Sequence, residues 1–109
     1  MRGRNRRLLA AFGCAVSLSA CSDAGTGGSA EAQRGRQIYL AQCVVCHADD
    51  PAQNGPLGPA VKGSSPQLLE ARVVRGTYPP GYTPKRNTAV MQSMPHLASS
   101  VSDLAAYLR

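Results

Sequence analysis

Two cysteines three residues apart, with a histidine directly after the second, constrain this chain more than any other feature. The segment is Cys43-Val44-Val45-Cys46-His47 in a chain of 109 residues. A disulfide between such close neighbours would add little stability, because closing so short a loop removes little chain entropy. A chain of this length holds one domain, and one with a single Phe, four Tyr and no Trp needs a staple such as a metal or a bound cofactor. We therefore expect this segment to hold a partner group.

The order Cys-x-x-Cys-His is typical of covalent haem attachment. Two thiols at the end of a helix meet the two vinyl groups and form thioethers, and the adjoining imidazole lies beneath the iron. We expect one covalent haem c, held by Cys43 and Cys46, with His47 as an axial ligand. The alternative is a haem-free thiol or zinc protein, although zinc requires further ligands at metal spacing and the only other histidine is His96.

The first 20 residues are typical of an export signal. Residues 1–7 carry four arginines, and residues 8–20 form a mostly apolar run that is shorter than the roughly 20 residues a membrane span needs. The run ends in Leu18-Ser19-Ala20-Cys21, which resembles the lipobox of bacterial lipoproteins, so we expect Cys21 to be lipidated. Cleavage of an ordinary signal peptide near Ala20 is the alternative.

The remaining chain divides into an anchor and a domain. Residues 21–31 are predicted to be the lipidated cysteine and a Gly/Ser-rich tether, and residues 32–109 the folded domain. We expect this domain at the periplasmic face of a bacterial membrane, inner or outer, or otherwise free in the periplasm. Without the first 20 residues the chain has 8 basic and 6 acidic side chains, so nucleic-acid binding is not indicated.

Three helical patterns and no strand pattern predict an all-α fold. The first helix is expected over about 31–42. The second is bounded by Ser65 as N-cap, Pro66 in the first turn and Gly76 past the end. The third, beginning near Ala98, carries apolar residues at helical spacing: Leu97, Val101, Leu104 and Leu108. Pro/Gly-rich loops at 49–65 and 77–95 suit a chain that wraps a large apolar cofactor.

Residues from about 33 to 109 resemble the small single-haem class I cytochromes c of bacteria. The features of that family occur here in its order: Gly35 and Tyr39, the Cys-x-x-Cys-His segment, Gly-Pro-Ala-Val at 58–61, Arg-Gly at 75–76, a Met/Pro segment, and Leu-Ala-Ala-Tyr-Leu at 104–108. The resemblance implies a one-electron carrier rather than an enzyme, serving an oxidase or a periplasmic dehydrogenase.

The resemblance also implies specific contacts. The first and last helices would cross where Gly35 lets Tyr107 approach closely. His47 would be oriented by a proline carbonyl bonded to its second ring nitrogen, with Pro59 favoured and Pro56 the alternative.

The sixth ligand of the iron is predicted to be Met91, with Met94 as the alternative. Met94-Pro95 has the local look of the family, but Met94 lies only 13 residues before Tyr107, whereas Met91 lies 16 before it, nearer the family's spacing. Met94 would then pack as part of the pocket wall. His96 is a further candidate, and an iron without a sixth ligand would indicate a haem enzyme or a gas sensor.

Several residues near the expected haem edge allow two interpretations. Val44 and Val45 are interpreted as apolar cover for the haem. Tyr78 and Tyr82 could line the haem pocket or only pack the loop. Five basic residues are candidates for a face that docks an acidic redox partner, an ordinary solvated surface being the alternative: Lys62, Arg72, Arg75, Lys85 and Arg86.

Overall fold

The computed structural model describes residues 28–109, so the predicted signal peptide and Cys21 lie outside the described residues. In this part of the chain there are three helices and no strand. They are α1 (Ala30–Gln42), α2 (Pro66–Leu69) and α3 (Val101–Leu108). The predicted all-α class is therefore confirmed.

Helix α1 begins where a serine caps it. The Ser29 hydroxyl accepts a hydrogen bond from the N–H of Ala32 at 3.2 Å, and Glu31 in the first turn complements the positive end of the helix dipole. The start at Ala30 falls one residue before the predicted one and inside the segment assigned to the tether. Gly35 and Tyr39, four residues apart on one face, are the buried positions.

Helix α2 starts as predicted but does not continue as an α-helix. Ser65 accepts from the N–H of Leu68 at 3.1 Å, and Pro66 occupies the first turn. From Glu70–Val74 the chain then forms a π-helical turn, a wider arrangement often found at functional sites. The expectation of one regular helix was wrong here, because two carbonyls of this turn bond outside it. The Ala71 and Val73 carbonyls accept from Thr77 N–H at 2.9 Å and Met94 N–H at 2.6 Å.

Helix α3 starts later than predicted. A 3₁₀ turn covers Pro95–Ser100, and the α-helix begins only at Val101. Pro95 has no N–H to donate and suits a first turn, while the Leu97 N–H bonds to the Met94 carbonyl at 3.0 Å. The start near Ala98 was wrong because the apolar spacing does not distinguish a 3₁₀ turn from the first α-turn.

The main contact of the fold joins α1 to α3 at Gly35, as the resemblance implied. A Cβ on Gly35 would overlap the Asp103 backbone and lie 2.9 Å from the Tyr107 Cβ. The rings of Tyr39 and Tyr107 follow, with centroids 5.5 Å apart. At the same crossing the Arg34 guanidinium donates to both carboxylate oxygens of Asp103 at 3.1 and 3.0 Å.

The core that the chain itself provides is small. Among the described residues, Tyr39 and Leu104 are the largest side chains that are fully buried. Smaller or less completely buried side chains complete the cluster: Leu69, Val73, Leu97, Ala105 and Leu108. Over residues 28–109, no helix combines the length and the apolar character needed to cross a bilayer.

We expect Gly35→Ala to destabilise the folded protein by about 1–3 kcal/mol, because the added methyl group overpacks the α1–α3 contact. The sign is diagnostic, since alanine in an open helix position would instead stabilise by up to about 1 kcal/mol. Urea unfolding of the haem-loaded protein measures it. Gln37→Ala, at an exposed position of the same helix, is the matched control. A Gly35→Ala protein as stable as this control would contradict the close contact.

Candidate functional site

The Cys-x-x-Cys-His segment forms a tight turn that continues from the end of α1. The N–H groups of Cys46 and His47 both bond to the Cys43 carbonyl, at 3.2 and 2.9 Å. Both thiols are free rather than joined in a disulfide. Burial raises the pKa of the Cys43 thiol to about 11, so this thiol stays protonated at neutral pH until it forms a bond.

The loop after the turn locks it in place. The Cys46 carbonyl accepts from the N–H groups of Leu57 and Gly58, at 3.2 and 2.8 Å. Before the loop begins, the Tyr39 hydroxyl donates to the Ala48 carbonyl at 2.6 Å. Burial is the largest cause that raises the pKa of this tyrosine to about 12. The turn is therefore held from α1 on one side and from loop 49–65 on the other.

The His47 ring is oriented by the carbonyl of Pro59. Its Nδ1 lies 2.8 Å from that oxygen, and a carbonyl can only accept, so Nδ1 carries the hydrogen and Nε2 is left as the basic nitrogen. Pro59 thus supplies the contact that the resemblance implied, while Pro56 is exposed and supplies none. The imidazole is 9% exposed.

Gly58 is a site residue whose specific role the sequence did not reveal. A Cβ at this position would lie 2.5 Å from Nδ1 and 2.9 Å from Nε2 of His47. Only a glycine lets the loop lie against the face of the imidazole and still place the next carbonyl on its nitrogen. The sequence contains the Gly-Pro pair, but only the folded loop shows which ring the glycine makes room for.

Two adjoining cavities meet at this histidine. Their volumes are about 120 and 330 Å³, far larger than the voids of a packed core. Most residues on their common wall are apolar: Cys46, His47, Val61, Leu69, Val73, Val90 and Met91. Cys43 borders the larger cavity. An apolar space with two thiols and a basic imidazole nitrogen at its wall has the chemistry that covalent haem requires.

Both candidate methionines border this space, and His96 does not. Met91 borders both cavities, whereas Met94 borders only the larger one. Both methionines are half-buried, and His96 is exposed. The structure therefore brings Met91 and Met94 to the same site as His47 and leaves His96 outside it.

The rim of the smaller cavity carries the predicted basic and aromatic residues. Arg72, Lys85 and Arg86 border it together with Tyr78 and Tyr82, whose rings stack with centroids 5.4 Å apart. The Lys85 ammonium donates to the Ala60 carbonyl at 2.8 Å, which joins loop 77–95 to loop 49–65.

The other basic candidates have partners on the molecule. Arg75 pairs with Glu70 at 2.9 Å, and Lys62 donates to the Arg109 carbonyl at 3.2 Å. The two valines of the motif differ as well: Val44 packs against the core, while Val45 is 78% exposed and borders the larger cavity.

Comparison with known proteins agrees with this chemistry. The family model described as Cytochrome c matches residues 32–109. Comparisons with curated proteins and with solved structures gave no match. The matched family binds covalent c-type haem, and Cys43 and Cys46 have the arrangement it uses, so the predicted cofactor is confirmed. This chain, with its cysteine pair, oriented histidine and apolar cavity, belongs to the cytochrome c family.

Proposed function

We propose that this protein is a lipid-anchored electron carrier at the periplasmic face of a bacterial membrane. Its partners would be redox proteins, an oxidase or a periplasmic dehydrogenase. Haem-based electron transfer follows from the family. The observation that supports a carrier with two protein ligands is the oriented His47 imidazole and Met91 on the wall of one apolar cavity.

When bound, the haem iron alternates between Fe(II) and Fe(III) without making or breaking bonds in a substrate. The residues of this chain control where that change takes place and how easily. Cys43 and Cys46 fix the group covalently, and the Pro59 carbonyl keeps the His47 ring in one orientation and raises its basicity. The apolar wall limits solvent at the iron, which together with the axial ligands sets the reduction potential.

The proposed location rests on the beginning of the chain. The positive and apolar segments of residues 1–20 and the lipobox at Cys21 support export and lipidation. These residues lie outside the described part of the structure. The Gly/Ser-rich tether before α1 would let a lipid-anchored domain move between partners in the plane of the membrane.

Cys43→Ser and Cys46→Ser are each expected to abolish stable holoprotein. The chain's own core is small, and without haem the cavities around His47 leave it incomplete. Covalent haem is measured after denaturing electrophoresis, and folding by protease resistance. Val45→Ser, between the two cysteines and exposed, is the matched control and should load haem normally. A protease-resistant, haem-free Cys46→Ser protein would contradict the prediction.

Met91→Leu is expected to lower the reduction potential and to let carbon monoxide bind the ferrous iron, because leucine keeps the apolar bulk but removes the sulfur. Met94→Leu, which changes the same atoms on the wall of the larger cavity, should do little. Potentiometric titration and carbon monoxide difference spectra test both. The reverse pattern would identify Met94 as the ligand. Ready carbon monoxide binding by the unmodified protein would favour the enzyme or gas-sensor alternative.

Cys21→Ala is expected to release the protein from the membrane without changing its haem spectrum, since it removes only the lipidated thiol. Membrane and soluble fractions are separated and their visible spectra compared. Cys14→Ala, inside the predicted signal peptide, is the control and should remain in the membrane fraction. A Cys21→Ala protein that stays with the membrane would argue against the lipid anchor.

A further inference from the structure

Arg72 lies in the π-helical turn Glu70–Val74 and is directed to the segment that carries Met91. Its guanidinium donates to the Gly76 carbonyl at 3.0 Å and makes a longer hydrogen bond of 3.4 Å to the Met91 carbonyl. The same group lies over the Tyr78 ring, 4.9 Å from its centroid. Arg72 is half-buried and borders the smaller cavity, unlike the exposed docking residue that the sequence suggested.

The π-turn also holds the other end of this segment. The Val73 carbonyl accepts from the N–H of Met94 at 2.6 Å. Consecutive residues, Arg72 and Val73, thus bind the first and last residues of the stretch 91–94. Residues 83–90, which lead into it, are all exposed. The π-turn is therefore the structure against which the methionine segment is placed.

We propose that Arg72 is a positioning residue that keeps the Met91 sulfur available to the haem iron. The proposal rests on the proposed ligation by Met91. Arg72 touches the backbone of Met91 rather than its sulfur, so it acts by restricting where the side chain starts. Two donors at different angles and a flat face for Tyr78 are properties of guanidinium, and lysine lacks both.

The test measures how readily carbon monoxide binds the reduced, haem-loaded protein. Carbon monoxide must replace the sulfur, so its binding rate follows the fraction of molecules in which Met91 has left the iron. Arg72→Lys keeps the charge and loses the two-point contact. We expect the rate to rise about tenfold, which corresponds to losing a hydrogen bond of about 1.4 kcal/mol. The reduction potential should fall in the same variant.

Arg75→Lys is the matched control, because Arg75 follows the same turn but is exposed and pairs only with Glu70. It should leave the rate and the potential unchanged. The decisive comparison repeats Arg72→Lys in a Met91→Leu background, where no sulfur remains to be held and no further increase is expected. An Arg72→Lys rate equal to that of Arg75→Lys overturns the proposal. So does an equal increase in both backgrounds, which would show that Arg72 acts on the haem directly.

The failure of the ligand assignment is distinguishable from the failure of this inference. If Met91→Leu alone leaves carbon monoxide binding and the potential unchanged, Met91 is not the ligand, and the role of Arg72 fails with it. If Met91→Leu has its expected effect and Arg72→Lys has none, only the positioning role fails.

A second pair of variants keeps the test valid if Arg72→Lys does not accumulate. Tyr78→Leu removes the aromatic surface under the guanidinium, and Tyr78→Phe retains it. Because Tyr78 is 37% exposed, both should fold. We expect a faster carbon monoxide reaction in the leucine variant only, and equal rates in the two variants would overturn the proposal.

Discussion

The hydrogen bond between His47 Nδ1 and the Pro59 carbonyl is the contact on which the site depends. It decides which ring nitrogen is free to bind iron. For the bond to exist, loop 49–65 must pass directly over the imidazole, which Gly58 permits. The loop is brought there by the two N–H groups that bind the Cys46 carbonyl. The histidine, the glycine and the cysteine turn therefore form one unit, in which each contact requires the others.

The sequence predicted those parts of the molecule that depend on local chemistry. The Cys-x-x-Cys-His segment identified the cofactor, and serine and proline marked the start of α2, because each acts through its own neighbours. The π-turn after Leu69 and the late start of α3 at Val101 were not predicted. Both arise from hydrogen bonds between distant segments, such as that of Val73 with Met94, and no local pattern encodes them.

The same reason explains the misread basic residues. In the sequence, Arg72 and Arg75 are equivalent cations three residues apart. In the fold, Arg75 remains exposed and pairs with Glu70, whereas Arg72 donates to the carbonyls of Gly76 and Met91. The difference comes from where the chain returns after Gly76, whose φ of +71° turns it back toward the helix.

The two sides of the cavity are held by different means but are not independent. On one side a fixed carbonyl orients His47, and on the other the π-turn holds the segment of Met91. Lys85, from the methionine-side loop, donates to the carbonyl of Ala60, the residue next to Pro59. Since Lys85 is exposed, this contact adds little stability. It does link the two loops across the rim of the smaller cavity, so outward movement of either loop is opposed by the contacts that hold the other.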